Sequence, residues 1–143
     1  MPTRTASAVW EGGLKGGKGS FKGRTGLAGT YNFGSRFGEE AGSNPEELLA
    51  AAEAACFSMA LSLGLEKAGF SPTKVETSAA CTVEKVGEGF KITTMKLTVT
   101  ATVPGVDDAQ FQAIAQATKD GCPVSGALKG NVQIDLSATL AAA

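Results

Sequence analysis

Histidine is missing from all 143 residues, which removes the commonest general base, the usual proton shuttle and the favoured zinc ligand. Hydrolases built on Ser-His-Asp or Cys-His pairs are excluded. Cysteine is scarce: Cys56, Cys81 and Cys122 stand alone, with no C-x-x-C pair, and do not supply a four-ligand zinc site. No metal or other cofactor is expected. Charge is also sparse, at 19% of residues, with 13 basic against 14 acidic side chains. No stretch gathers Lys or Arg into a stripe that would track phosphates, so nucleic acid is not an expected partner. So few charges imply an apolar surface and predict burial against a second subunit, hence a homodimer. Residues 1–13 lack the basic-then-apolar order of an export signal, so a cytoplasmic location is expected. In that compartment structural disulfides stay reduced, and cysteines that matter are more often catalytic.

What the chain does hold is glycine, 19 of them, concentrated at the start. Between Thr5 and Gly34 the runs SAVWEG, GSFKG and TYNFG are separated by turn residues and read as a small antiparallel meander with an edge strand around Ala8, Val9 and Trp10. At Ser43 the character changes: Asn44 can cap, Pro45 suits the first helical position, and Glu46 and Glu47 suit the first turn. From Leu48 to Leu65 the run is apolar nearly all round, which predicts an enclosed helix that Gly64 weakens and Gly69 ends. A membrane span is the rival for that run, but Glu53 inside it and the amphipathic strands that follow argue against one. Residues 74–86 and 92–103 alternate with period two, joined by a turn at Gly87–Gly89, and predict a long hairpin. Asp107 opens a second amphipathic helix with Phe111, Ile114 and Ala115 inward, a short helix follows Gly121, and residues 131–140 form the last strand. The chain reads as one α+β domain over residues 1–143.

Cys56 sits on the apolar helix with Ala52, Met59, Ala60 and Leu63 around it, a lining that could hold an apolar substrate or simply pack. Burial alone makes a thiol inert, so activation needs a fixed cation. Arg36, in the polar segment upstream, is the candidate because it stays charged and offers several donors; a solvated loop residue is the plain alternative. Glu46 or Glu47 could orient it, or either could serve as an ordinary first-turn acid. Cys122 precedes Pro123 and so caps a short helix, where N–H groups favour a thiolate. That position predicts an accessible, reactive sulfur, with a small capping residue as the alternative. Cys81 falls on the apolar face of a strand and reads as structural.

The runs GSRFGEEAGSNPEELLAAAEAACFSMALSL (34–63), EKAGFSPT (66–73) and VPGVDDAQFQAIAQATKDGCPVSGALK (103–129), with the opening VWEGGLKGGKG (9–19), resemble the osmotically inducible protein C branch of the OsmC/Ohr peroxidases. The resemblance covers essentially the whole chain. It implies antiparallel sheets wrapped around long central helices in an intertwined homodimer, and a peroxidase acting on organic hydroperoxides. It further implies Cys56 as the peroxidatic cysteine, Cys122 as the resolving one, Arg36 as the thiolate-stabilising arginine and Glu46 as its acidic partner. An external dithiol, with dihydrolipoyl proteins as one source, would reduce the resulting disulfide. On an unbroken helix Glu46 lies about 15 Å from Cys56, so either the helix bends near residues 50–54 or Glu46 acts through Arg36. Glu53, outside the family motif, would disfavour Cys56 ionisation if it faced the thiolate, and is expected to turn away. Phe33, Phe37, Phe57 and Met59 are the candidates for an apolar pocket wall that would favour alkyl or lipid peroxides.

Two rival readings carry different expectations. A small-lipid carrier or redox-sensing module would bind without turnover, and a structural dimer with incidental thiols would form no Cys56–Cys122 disulfide on exposure to peroxide.

Overall fold

In the glycine-rich start, aromatic rings fill the space left by missing side chains. In the computed structural model, which describes residues 1–142, β1 (Ala6–Glu11), β2 (Lys18–Gly23) and β3 (Ala28–Tyr31) form an antiparallel sheet in that order. The register sets Trp10 and Tyr31 on either side of Gly19, and their rings meet with centroids 5.4 Å apart. A Cβ on Gly19 would fall 2.6 Å from Tyr31 Cε1 and 2.7 Å from Trp10 Cε3, inside the distance at which carbon atoms attract. Only glycine fits there, and the aromatic pair rescues the strand it would otherwise weaken.

Where a polar loop was expected around Arg36, the chain forms a short helix, α1 (Phe33–Phe37). Its start is a capping box: Asn32 Oδ1 accepts the Ser35 N–H at 2.7 Å and Ser35 Oγ accepts the Asn32 N–H at 2.9 Å. The next helix, α2 (Pro45–Lys67), begins as its sequence dictates, with Asn44 Oδ1 accepting the Glu47 N–H at 2.7 Å and Pro45 in the first turn. Asn44 also ties back, donating its Nδ2 to the Ser35 carbonyl at 3.0 Å. α2 is continuous over its 23 residues. It closes in a Schellman motif: Gly69 takes φ +93°, the Phe70 N–H reaches Leu65 O and the Gly69 N–H reaches Glu66 O. By length and composition alone α2 could cross a membrane, but Phe57, Leu61 and Leu65 on it are fully buried in a protein core.

The chain divides into two compact units, Met1–Leu48 and Leu49 onward, and α2 starts in the first and continues through the second. In the second unit β4 (Lys74–Val86) and β5 (Gly89–Thr102) make the long antiparallel hairpin. Met95, Leu97, Val99 and Ala101 alternate inward along β5 and are buried. α3 (Asp108–Gly121), capped by Asp107, and α4 (Pro123–Leu128) then carry the chain back to β6 (Gln133–Leu140). β6 pairs with β5 in parallel, so this sheet is mixed rather than purely antiparallel. The reason is topological: a crossover through two helices returns the chain to the end of the sheet where β5 began. Phe111 and Ala115 of α3 complete the core with the β5 residues.

α2 is only partly enclosed within this chain. Phe57, Leu61 and Leu65 repeat every four residues on its buried face, whereas Met59 is 78% and Leu63 51% exposed. Gly64 does not weaken the helix so much as admit a neighbour: a Cβ there would meet Ile114 Cγ2 of α3 at 3.1 Å. Gly64→Val is accordingly expected to overpack this contact and cost about 2 kcal/mol, read as a lower urea midpoint at unchanged slope.

Candidate active site

Two constellations of functional side chains form, one in each unit. In the first, α1 and the start of α2 are joined by hydrogen bonds from Asn44 Nδ2 to Ser35 O and from Ser35 Oγ to Ser43 O. That bracing lets Arg36 and Glu46 meet: Nη2 donates to Oε1 at 2.9 Å, and Nε lies 3.3 Å from both carboxylate oxygens. The fork geometry is the arginine–carboxylate arrangement that fixes a guanidinium in one plane. The Glu46 side chain is nearly buried at 6% exposure, but that of Arg36 keeps 35%, so the guanidinium still presents a face outward. Its Cζ also lies 5.1 Å from the Phe37 ring centroid. Between the two acids the structure is decisive: Glu46 takes the arginine, and Glu47 accepts from the Ser43 hydroxyl at 2.8 Å. Phe33, Phe37 and Arg36 line a cleft of about 270 Å³ with Trp10, Leu14 and Tyr31.

The second constellation is built from α2 and the junction of α3 with α4. Glu53 and Cys56 lie three residues apart on α2, and so do Cys122 and Ser125 at the start of α4, so each pair shares a face. The Sγ atoms of Cys56 and Cys122 are 2.9 Å apart. Cys122 is 1% exposed, which overturns the expectation of an accessible sulfur. The cause is its position: its N–H closes α3 on Thr118 O at 2.8 Å while its thiol turns inward against α2. Glu53 does not turn away either. It is fully buried, its Oε1 accepts from Ser125 Oγ at 2.5 Å, and the Cys122 thiol lies 3.9 Å from the same oxygen. The hydroxyl of Ser125, delivered by α4, gives the carboxylate a polar partner that solvent would otherwise supply.

Burial pushes the Cys56 thiol above its ordinary pKa, and the hydrogen bond with Cys122 and the negative charges of Cys122 and Glu53 push the same way. The Val124 N–H acts in the opposite direction. Every one of these groups belongs to the second unit, so its own surroundings on balance hold Cys56 in the thiol form.

The four residues expected to form a pocket wall divide between the two units. Phe33 and Phe37 line the cleft of the first unit, but Phe57 is fully buried in the core of the second and Met59 faces solvent. The period of the helix accounts for this: Phe57 falls in register with Leu61 and Leu65, and Met59 half a turn away. Cys81 packs partly buried against the same core, opposite Met95. Two participants escaped the sequence reading, the acid Glu53 as an inward group and Ser125. The i, i+3 spacing in E-A-A-C and C-P-V-S was the available signal for both.

Residues 38–137 match the family model described as OsmC-like protein. The chain is 47% identical over 134 residues to the peroxiredoxin OsmC of Escherichia coli, covering 92% of this chain and 94% of that protein. It is 34% identical over 97 residues to an organic hydroperoxide resistance protein of Xanthomonas axonopodis, covering 67% and 66% respectively. Among solved structures, the organic hydroperoxide resistance protein OhrB of Bacillus subtilis superposes with a TM-score of 0.70 at 26% identity, over 94% of this chain and 98% of that one.

Proposed function

This chain belongs to the OsmC family, and from that premise we propose that it is a thiol-dependent peroxidase that reduces organic hydroperoxides to alcohols through Cys56 and Cys122. A peroxide-linked redox activity follows from the family; the roles of the residues rest on their chemistry. The observation that carries the reading is the 2.9 Å separation of two sulfurs that stand 66 residues apart in sequence. No packing requirement of an Ala- and Leu-rich helix calls for two thiols in contact, whereas a resolving cysteine must reach its partner.

In the cycle, the Cys56 thiolate attacks a peroxide oxygen, the O–O bond breaks, and the alkoxide leaves as alcohol, so that Cys56 becomes a sulfenic acid. Cys122 then displaces the sulfenic oxygen as water and forms the disulfide. An external dithiol exchanges with that disulfide and restores both thiols. Because the second unit holds Cys56 protonated, the cycle needs a cation to stabilise the thiolate. Arg36, fixed by Glu46, supplies it, and a permanent charge with directional donors suits the developing negative oxygen as well. The cleft at Phe33 and Phe37 is small and aromatic, suited to an alkyl chain, so bulkier organic peroxides should be preferred to hydrogen peroxide. The two units work as one OsmC-like domain in a cytoplasmic homodimer, in keeping with the apolar face of α2 that Met59 and Leu63 leave uncovered.

One equivalent of cumene hydroperoxide should convert the reduced protein to a single intrachain Cys56–Cys122 disulfide, seen by peptide mass mapping. Dihydrolipoamide should then restore both thiols and sustain consumption of excess peroxide. A carrier or a structural dimer would show neither the cross-link nor the turnover, and that result would refute the peroxidase reading.

A further inference from the structure

Glu53 is a buried acid for which the cycle above has no task. Its side chain is completely enclosed, Ser125 Oγ donates to Oε1 at 2.5 Å, and the Cys122 thiol faces that same oxygen at 3.9 Å. Its other oxygen, Oε2, is buried without a hydrogen-bond partner among the described residues. Leaving a carboxylate oxygen in that condition is costly, and apart from Cys56 the neighbouring positions of α2 are Ala, Leu and Phe. An acid held there at that cost points to a role in proton chemistry. Cys122 in turn is 1% exposed, so its proton needs an acceptor inside the protein before its sulfur can act as a nucleophile.

We propose that Glu53 is the general base of the disulfide-forming step, its Oε1 taking the Cys122 proton as Cys122 Sγ attacks the sulfenic sulfur of Cys56. The step balances internally. The S–S bond forms, the S–O bond of Cys56 breaks, and the departing oxygen collects the proton from Glu53 and leaves as water. The Cys122 sulfur is oxidised by as much as the Cys56 sulfur is reduced, so nothing beyond the peroxide already consumed is needed. Ser125 positions the carboxylate, and the 3.9 Å approach in the dithiol state is of the kind that tightens as the reaction proceeds. The inference rests on the peroxidase reading, because it presupposes a sulfenic acid on Cys56.

The same carboxylate has an opposite influence on the preceding step. Its charge helps hold Cys56 in the thiol form, so removing it should ease ionisation of Cys56 while impeding Cys122. A substitution that merely loosened packing would not separate the two steps in this way. In a rapid-quench experiment on the full chain with one equivalent of cumene hydroperoxide, sulfenic acid is trapped with a cyclic diketone and disulfide is read by intact mass. Glu53→Gln should form sulfenic acid at least as fast as the parent protein but close the disulfide about a hundredfold more slowly. Closure at the parent rate, with sulfenic acid formed normally, overturns the role of Glu53 and leaves the peroxidase reading standing. Absence of both sulfenic acid and the Cys56–Cys122 disulfide in the parent protein overturns both, through the peroxidase reading. Should Glu53→Gln fail to fold, Ser125→Ala decides the matter: closure slowed severalfold supports the relay, and unchanged closure removes it.

Discussion

Cys56→Ser is expected to abolish peroxide consumption, with turnover falling by at least about a thousandfold, because residues that act as one chemical unit lose nearly everything when the nucleophile goes. Serine keeps the size of the side chain in a tightly packed part of α2 beside fully buried Phe57, so unfolding transitions should stay close to those of the parent. Retained structure with lost turnover separates chemistry from stability. The companion change, Cys122→Ser, should permit one alcohol per chain and then stall with Cys56 as a sulfenic acid, detectable by the same diketone trap. Should Cys56→Ser still turn over and Cys122→Ser not, the roles of the two sulfurs would have to be exchanged. The exposures weigh against that exchange, since Cys122 is buried whereas Cys56 is only partly so.

The second large effect concerns Arg36. Arg36→Ala should slow sulfenic acid formation about a hundredfold, the usual loss when one preorganised donor to a developing negative charge is removed. It should leave closure of the disulfide untouched. The pH dependence should change too. Burial, Cys122 and Glu53 together hold the Cys56 thiol above the ordinary thiol range, so without the guanidinium the reactive thiolate is a minor species at neutral pH. The first step in Arg36→Ala should therefore accelerate steadily as pH rises toward that elevated value, with the parent protein levelling off earlier. Stopped-flow measurement of the first step across pH reads both features. A rate and profile indistinguishable from the parent would mean that the Arg36–Glu46 pair holds the first unit together and does no more.

Why some of this was legible in the sequence and some was not has physical causes. Period-two alternation marked β4 and β5 because each has one face against a core, and Asn44-Pro45-Glu46-Glu47 marked the start of α2 because caps act locally. The parallel placement of β6 could not be read from its own residues, since an edge strand shows the same alternation whichever direction it runs. α1 escaped notice because five residues carry too little periodicity, although Asn32 and Ser35 spelled out its capping box. The near contact of Cys56 with Cys122 came only through a family likeness, as no local rule brings residues 66 apart together. Glu53 was misjudged for an instructive reason. Electrostatics with Cys56 alone argues for turning away, but the outcome was decided by Ser125, a partner on another helix that satisfies the carboxylate from within.

The near contact of the two sulfurs also bears on how the protein would endure high peroxide. A sulfenic acid has two fates: capture by a thiol, or further oxidation to the sulfinic and sulfonic acids, from which recovery is rare. When the capturing sulfur already stands 2.9 Å away, the first fate requires no unfolding and no search, and its speed does not depend on how much oxidant surrounds the protein. Only the second fate scales with oxidant concentration, so the time during which the sulfenic acid is open to a second encounter, and with it the chance of permanent damage, is kept short by distance alone.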